Sequence, residues 1–467
     1  MPFKRFEALV PSFPEAEPRP LPKTFFALLW ENTRGMRPLL LLLTLLTAVI
    51  GAFEALLFSI LAHVVDLLAA TPPAELWARE GTKLMAFGAL LLVSVAVSGT
   101  WALLKYQAMF ANFPMRMRWV FHRLMLGQSM SFYQDEFAGR IATKVMQTAL
   151  AVRDVWFLFA DIMTYVVVYF VTIVAVVGSF DLRVMAPFGI WLALYVVACR
   201  FFVPRLAAVA KEQADARSLM TGRITDAYTN IATVKLFSHS QREAAFARDA
   251  MDEFLQTAYR QGRLVTSFET LNQGLSMLLV GGTTGMLLWL WTRGEVGVGA
   301  IAASTAMALR LSGMSHWVMW ELASLFEHVG TVQDGLGMLS KPNVVVDRAD
   351  ARELDVRQGE IRFDHVDFGY GGTKKVIDDF SLVIRPGEKI GLVGRSGAGK
   401  STIVNLLLRL YDVQGGRILI DGQDIAGVTQ DSLRRQVGMV TQDTSLLHRS
   451  VRDNIVYGRQ IGRASCR

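Results

Sequence analysis

The distribution of apolar residues divides the chain at about residue 330. Before that point apolar stretches recur, each close to the roughly 20 residues that a helix needs to cross a bilayer. They lie near residues 39–62, 84–104, 155–178, 184–204, 267–291 and 297–325. After that point apolar and polar residues alternate in short runs, as they do in half-buried strands. The pattern predicts a membrane domain of six transmembrane helices followed by an α/β domain.

Basic residues predict the orientation of the spans. The two longest connections, about residues 105–154 and 205–262, are crowded with arginine and lysine, whereas the opposite connections carry few. These few are Arg79, Lys83, Arg183 and Arg293. Since basic loops remain on the cytosolic side, both termini are predicted to be cytosolic. The two long connections are helical in pattern, so we expect the membrane helices to continue into the cytosol.

Composition agrees with a membrane protein. Of the 467 residues 52% are hydrophobic and 19% are charged, and the mean hydropathy is +0.33. The formal charge of +7 would suit nucleic acid or an anionic membrane surface. Because the basic residues fall between apolar spans, the membrane is favoured and no nucleic-acid partner is expected. Two cysteines, Cys199 and Cys466, are too few for a disulfide framework or a zinc cluster.

Two polar segments flank the predicted membrane domain, which spans residues 38–340. The cytosolic N-terminal segment, residues 1–37, lacks the apolar core and small-residue cleavage site of a signal peptide. Its mixture of apolar and charged residues from Lys23 to Met36 predicts a helix in the membrane interface, with a solvent-exposed helix as the alternative. Residues 341–358 predict a polar linker, and residues 359–460 form the second predicted domain.

The second domain contains the most specific motif of the chain, KIGLVGRSGAGKST at residues 389–402. The short apolar run Ile390–Val393 predicts a strand before the glycine-rich loop, and the pattern from Thr402 to Leu410 predicts a helix after the loop. The alternating sequence GEIRFDHVDFGYGG, which begins at residue 359, predicts a half-buried strand. Further predicted strands are Val376–Ile384, Arg417–Ile420 and a buried Val437–Val440. The residues that define the phosphate-binding loop pattern are Gly394, Gly399, Lys400 and Ser401.

The chemistry of a polyphosphate explains these residue types. Glycines let the backbone turn tightly around the anion, and the N-terminus of the following helix offers N–H groups to it. Lys400 is expected to reach the β- and γ-phosphates, and the Ser401 hydroxyl is expected to bind Mg²⁺. A glycine-rich turn with an incidental lysine is the alternative interpretation.

Ionisable residues inside the predicted spans are a second group of candidates, because charge is costly in hydrocarbon and tends to face a cavity or a partner. Glu54 lies in the middle of the first span and Arg310 deep in the sixth. Nearer the span ends are Asp161, Glu269, His316 and Glu321. They indicate polar points in a translocation pathway, and buried structural pairs or snorkelling side chains are the alternatives.

The second domain resembles the ATPase domain of ABC transporters. The resemblance rests on VDFGYGGTKKVIDDFSLVIRPGEKIGLVGRSGAGKST and on LRRQVGMVTQDTSLLHRSVRDNIVYG. With six spans before it, the chain is similar to a bacterial half-transporter of the ABC exporter family, in the multidrug and lipid exporter branch. The resemblance implies ATP and Mg²⁺ as cofactors, and a second half-transporter as partner in a homodimer. It also implies export of an amphipathic or apolar small molecule across the lipids of the inner (cytoplasmic) membrane by alternating access.

The resemblance also implies roles for individual residues. Tyr370 matches the aromatic residue that stacks on adenine, and Gln442 matches the glutamine that contacts Mg²⁺ and the attacking water. Lys400 and Gln442 are the implied catalytic residues, and Ser401 and Gln442 the implied metal ligands. The implied nucleotide contacts are Tyr370, Gly394, Arg395, Ser396, Gly397, Ala398, Gly399, Lys400, Ser401, Thr402 and Gln442.

Two segments in the long cytosolic connections match the regions that couple the ATPase to the membrane domain of these transporters. They are Tyr133–Phe137 and Asn230–Lys235. The resemblance implies that both dock on ATPase domains. Judged by spacing alone, a solvated helical hairpin explains each of them equally well.

The C-terminal sequence departs from the family's pattern. The ABC signature, the Walker B strand with its catalytic glutamate and the switch histidine are expected beyond Arg459. Residues 461–467, IGRASCR, do not continue the pattern and are interpreted as an artefact tail. We therefore expect an incomplete ATPase domain and no ATPase activity from the chain as printed. The complete protein is expected to be an ATP-driven transporter, with a gated channel or regulatory membrane subunit as the alternative and a membrane-anchored kinase as a third possibility.

Overall fold

The computed structural model describes residues 2–17, 19–237, 239–371, 375–440 and 446–457. Within these ranges the chain forms two compact units. The first contains the residues up to Leu126 together with Ala138–Pro342. The second contains Gly127–Phe137 and the described residues from Asn343 onward. The domain bounds drawn from the sequence stay predictions.

The first unit is helical. In chain order the helices up to residue 339 are α1 (Pro2–Glu7), α2 (Phe25–Asn32), α3 (Arg37–Ala70), α4 (Leu76–Ala102), α5 (Asn112–Leu126), α6 (Met130–Asp135), α7 (Ala138–Phe157), α8 (Thr164–Phe180), α9 (Met185–Thr229), α10 (Ile231–Leu236), α11 (Ser240–Thr292) and α12 (Val298–Leu339). Of these, α6 belongs to the second unit. Two π-helical segments, Leu103–Phe110 and Leu158–Met163, connect α4 to α5 and α7 to α8.

Five stretches of the described chain are long and apolar enough to cross a membrane. They are Arg37–Ala70, Leu76–Leu126, Ala138–Phe180, Leu182–Thr229 and Ser240–Thr292. The sixth predicted span lies in α12, which is long enough but is interrupted by Arg310 and other polar residues, so it stays a prediction. With 45 and 53 residues, α9 and α11 are each roughly 70–80 Å long at 1.5 Å per residue, far beyond the bilayer thickness. Helical continuation beyond the spans is therefore confirmed for these two.

The core of the first unit joins α8, α9, α11 and α12. Tyr169, Phe188, Phe268, Leu287 and Met307 are completely buried within it. Close helix contacts depend on missing side chains: a Cβ at Gly335 of α12 would lie 1.8 Å from Thr148 Oγ1 of α7. Large apolar residues supply the packing area and glycine allows the backbones to approach.

A contact that the sequence did not reveal holds the N-terminal residues along α5. Asn112 Nδ2 donates to the Glu7 carbonyl at 2.8 Å, Trp119 Nε1 to that of Pro14 at 3.1 Å, and Arg123 Nη1 to that of Ala16 at 2.8 Å. Side chains of α5 therefore supply hydrogen bonds to backbone carbonyls of this N-terminal segment.

The second unit contains a small antiparallel sheet. Its described strands are β1 (Ile361–Phe368), β2 (Ile377–Ile384), β3 (Gly415–Ile420) and β4 (Gln423–Asp424), in the order β2-β1-β3-β4. Phe363 of β1 pairs with Leu382 of β2 and with Ile418 of β3. The helices of this unit after the sheet begins are α13 (Lys400–Leu407), α14 (Gln430–Gln436) and α15 (Val451–Val456).

The core of this second unit lies on one face of the sheet. Phe363, Val366 and Ile418 are buried there with Leu406 of α13 and Leu433 of α14. The alternation of apolar and polar residues in β1 correctly predicted a strand, and an irregularity in its register between Phe363 and Val366 lets both residues be buried.

Two predicted strands are wrong. Ile390–Val393 and Val437–Val440 form no strand, and neither pairs with another strand of the described chain. Val393 is 99% and Val440 97% exposed, so the expected burial of the second run is also wrong. The physical reason is that a short apolar run becomes a strand only when a neighbour supplies the ladder hydrogen bonds and covers its faces. The predicted helix after the loop is confirmed, although it begins at Lys400 and ends at Leu407.

Candidate nucleotide-binding site

The predicted phosphate-binding loop forms a turn that leads directly into α13. Gly397 and Gly399 have φ of +83° and +85°, a backbone region that favours glycine. A Cβ at Gly399 would also lie 2.6 Å from Ile377 Cδ1 of β2. Gly399, which has no side chain, is the N-cap residue of α13, so within the described residues no side-chain cap hydrogen bond closes this end of the helix. The first N–H groups of the helix therefore remain available to an anion.

The ammonium group of Lys400 lies inside this turn. Its Nζ donates to the carbonyl of Gly394 at 2.8 Å and to that of Arg395 at 2.9 Å. An ammonium group has three donors, so two bonds hold its position and one N–H remains for an additional acceptor. The positive charge is thereby fixed beside the uncapped end of α13, where the helix dipole has the same sign.

Tyr370 lies beside the first turn of α13. Its hydroxyl donates to Thr402 Oγ1 at 3.2 Å. The ring is held edge-on by Phe368 and Tyr411, with centroids 4.9 and 5.2 Å away, and 43% of the residue remains exposed. A ring fixed by two aromatic neighbours with part of its surface free is suited to stacking on a flat base.

The structure thus brings together most of the residues predicted for the nucleotide. Tyr370, Gly394, Lys400 and Thr402 are connected through the contacts above. The intervening residues Arg395, Ser396, Gly397, Ala398, Gly399 and the following Ser401 form the turn and the start of the helix. Gln442, predicted for catalysis and metal binding, lies outside the described residues. Among the described residues predicted to bind Mg²⁺, Ser401 has an exposed hydroxyl that can serve as a ligand.

Five of the six ionisable residues predicted inside the spans are paired, and the described residues contain no ion pair of Glu321. Glu54 of α3 lies 3.5 Å from Arg310 of α12, and Glu269 of α11 contacts His316 of α12. Asp161 pairs with Lys105, which the sequence reading missed because it lies one residue beyond the predicted second span. Of these pairs, the one between Asp161 and Lys105 is buried, so its two charges compensate each other away from water.

The two predicted coupling segments differ in their surroundings. The first, which includes α6, belongs to the second unit, where Asn343 Nδ2 donates to the Gly127 carbonyl at 2.7 Å. Burial, and then the neighbouring Tyr370 and Asp135, raise the pKa of the Tyr411 phenol, so α6 lies close to the aromatic group beside the loop. The second segment forms α10, which contains no buried residue and leaves Leu236 77% exposed.

Comparison with known families decides what this combination is. Residues 40–314 match the family model described as the ABC transporter transmembrane region, and residues 377–466 match the model described as ABC transporter. The chain belongs to the ABC transporter family. It has the half-transporter arrangement, in which a membrane domain and an ATP-binding cassette are fused in one polypeptide.

Relatives of this ABC transporter include bacterial proteins. An uncharacterized ABC transporter ATP-binding protein of Haemophilus influenzae is 52% identical over 457 residues, covering 98% of this chain and 74% of the relative. The β-(1→2)glucan export ATP-binding/permease protein NdvA of Agrobacterium fabrum is 32% identical over 242 residues, covering 51% of this chain and 40% of that protein. The match to NdvA thus spans less than half of that relative's length.

A solved structure shows the same fold. The structure of a bacterial Atm1-family ABC exporter with ATP bound superimposes with a TM-score of 0.71 and covers 93% of this chain and 75% of the solved chain. The two sequences are 23% identical, so this likeness concerns the fold. The predicted fold class, a helical membrane domain followed by a nucleotide-binding domain, is confirmed.

Proposed function

We propose that this ABC transporter exports an amphipathic or apolar small molecule across the cytoplasmic membrane, driven by ATP and Mg²⁺. The observation that supports it best is the turn from Gly394 to Lys400. Its positive-φ glycines, the uncapped end of α13 and the fixed Lys400 ammonium converge on one small volume. Donors and positive charge without a built-in anion fit a polyphosphate.

The residues divide the binding of ATP among them. Backbone N–H groups of the turn and of α13 donate hydrogen bonds to the phosphates, and Lys400 neutralises charge on the β- and γ-phosphates. Tyr370 offers its ring to the adenine, while Thr402 orients the Tyr370 hydroxyl through the 3.2 Å hydrogen bond. ATP supplies the phosphoryl-transfer energy when bound, and Ser401 with Gln442 would hold its Mg²⁺.

Alternating access requires that nucleotide binding changes the membrane helices. The position of α6 in the unit that contains the loop supports a coupling role for Tyr133–Phe137. For Asn230–Lys235 the exposed surface of α10 supports docking on a second half-transporter, as in a homodimer. The two long basic connections support a location in the inner membrane with both termini in the cytosol.

Transport in inside-out membrane vesicles tests the proposal. Fluorescent amphiphiles are added outside vesicles that contain the full-length protein, and accumulation is followed after addition of ATP and Mg²⁺. We expect ATP-dependent accumulation of at least one amphiphile, its abolition in Lys400→Ala, and full retention in Lys389→Ala, a matched lysine before the loop. Accumulation that needs no ATP and survives Lys400→Ala would support the gated channel instead.

The relative named for β-(1→2)glucan export shows that family members differ in cargo, so the substrate is the part of the proposal that the vesicle panel must establish. The absence of ATPase activity in the chain as printed also stays a prediction.

A further inference from the structure

The membrane unit contains a cleft between its helices. It has a volume of about 510 Å³ and lies between α3, α4 and α12. Its walls are mostly apolar side chains of α3 and α4, among them Val49, Phe53, Leu90 and Val97. At one end these walls meet charged and phenolic groups. A cleft of this size, largely apolar with a few convergent polar groups, has the character of a small-molecule site.

Four side chains form the polar end. Tyr165 Oη donates to Glu54 Oε2 at 2.6 Å, and Arg310 Nη2 approaches the same oxygen at 3.5 Å. The Tyr169 ring stacks on Tyr165 with centroids 5.5 Å apart. Tyr169 is completely buried and lines the cleft, yet its hydroxyl has no hydrogen-bond partner of normal geometry within the described part of the unit. A buried hydroxyl without a partner is costly, and more so in a membrane.

Donors exceed acceptors at this end of the cleft. The Arg310 guanidinium has five N–H donors, and it meets the Glu54 carboxylate by one long contact and the hydroxyls of Tyr165 and Tyr169. The Tyr169 hydroxyl adds another donor. Against them stands one carboxylate, whose Oε2 already accepts from Tyr165. Hydrocarbon offers no acceptors, so a ligand head that carries acceptor oxygens would satisfy these donors.

We propose that the cleft binds an amphiphile with an anionic carboxylate or phosphate head and one apolar tail. Arg310 and Tyr169 hold the head, and the tail lies along the apolar walls of α3 and α4. The proposal rests on the proposed function, since it names the chemical class of molecule that the membrane domain receives. Charge-assisted hydrogen bonds from a guanidinium to a carboxylate or phosphate supply the selectivity for the head.

Photolabelling tests this proposal. The chain is placed in phosphatidylcholine nanodiscs with palmitate that carries a diazirine in its tail, irradiated, and digested for mass spectrometry. Labels are expected in residues 49–58 and 90–98. The neutral control probe is the corresponding alcohol, and we expect it to label these peptides at least about tenfold less, because it lacks the charge-assisted bond.

Substitutions separate a ligand role from a structural one. Arg310→Gln is expected to reduce palmitate labelling at least about tenfold, and Tyr169→Phe about threefold. Glu54→Gln is expected to increase labelling, because it removes the carboxylate that competes for Arg310. Arg293→Gln, which removes an arginine stacked on Trp289 at the end of α11, is the matched control and should change nothing. Each variant is first checked for an unchanged gel-filtration profile.

Three results would overturn the proposal: equal labelling by the alcohol, unchanged labelling of Arg310→Gln, or an equal fall in Arg310→Gln and Glu54→Gln. The last result would indicate only a structural ion pair.

Competition identifies the source of the ligand. A lipid and a soluble amphiphile would both support the proposed recognition of an anionic head. Displacement of the label by lysophosphatidylglycerol, which has one acyl tail, indicates a lipid of the bilayer, and displacement by dodecyl phosphate alone indicates a soluble amphiphile. Labelling needs no nucleotide, so its failure and a failure of ATP-driven transport are distinguishable.

Discussion

The Lys105 ammonium lies 2.6 Å from a carboxylate oxygen of Asp161, and both residues lie in π-helical segments. The other carboxylate oxygen accepts from Thr47 Oγ1 at 2.7 Å and from Trp101 Nε1 at 3.1 Å. This ion pair joins three membrane helices through residues that are far apart in sequence. Departures from regular α-helix often occur at functional sites, and here both departures coincide with the charges they position.

Removing one partner of this pair should destabilise the protein strongly. Lys105→Met leaves a buried carboxylate without its counter-charge, at an expected cost of about 3–5 kcal/mol. The double variant Lys105→Met/Asp161→Asn should recover most of the loss, because no uncompensated charge remains. The measurement is thermal unfolding in detergent.

The exposed pair Arg79–Glu75 provides the control for that experiment. Arg79→Met should cost less than about 1 kcal/mol, as surface pairs do. A double variant at Lys105 and Asp161 that is as unstable as the single one would show that the pair contributes packing and not charge compensation.

Substitutions in the coupling segments should separate ATP binding from transport. Glu136→Arg and Thr233→Arg change charge and bulk outside the phosphate loop, so we expect unchanged ATP affinity but loss of substrate-stimulated ATP hydrolysis in the full-length protein. Both quantities are measured on the same preparation. Thr143→Arg, on the exposed side of α7, is the control. Reduced ATP affinity with stimulation intact would reverse the assignment.

We expect Asp421 to hold the backbone just before β1 in place. This stabilisation should not change with pH near neutrality. Its carboxylate accepts from the backbone N–H groups of residues 357–360 at 2.7–3.1 Å. These bonds, that of Gln358 foremost, lower the pKa of Asp421 to about 2. A lowered pKa means that the stabilisation is complete above about 4, the ordinary value for Asp, and is lost only as pH falls toward 2.

Hydrogen–deuterium exchange checks this account. In Asp421→Asn the amides of residues 357–360 should exchange about tenfold faster, with the same ratio to the parent at pH 6 and pH 8. Asp424→Asn, which affects only the bond from Ala426 N at 3.0 Å, should leave these amides unchanged. Equal exchange in Asp421→Asn and the parent, or a ratio that varies between pH 6 and 8, would contradict the proposed role.

Local chemistry made much of this molecule predictable. Apolar stretches longer than a bilayer's thickness predict helices in almost any context, and the glycines of the phosphate loop are required at Gly397 and Gly399 by positive φ. Alternation in Ile361–Phe368 predicted its strand for the same reason, since the pattern itself defines the buried face.

Features that depend on distant residues were missed. Ile390–Val393 has the composition of a strand, but only a pairing partner makes a strand of it. The bonds from Asn112 and Arg123 to the N-terminal backbone join residues about 105 positions apart. Lys105 is compensated by Asp161, which lies 56 residues later in the sequence. Sequence periodicity carries no information on contacts between residues that are far apart in the chain.

In the proposed function the Lys400 loop binds the ATP that drives export. ATP hydrolysis by the full-length protein in liposomes tests it most directly, with the parent, Lys400→Ala and Lys389→Ala compared at equal protein amounts. Because phosphoryl transfer depends on positioning and electrostatics, Lys400→Ala should lose at least about 10²-fold in hydrolysis rate, while Lys389→Ala keeps the parental rate. Near-parental hydrolysis by Lys400→Ala would contradict the assignment of this loop.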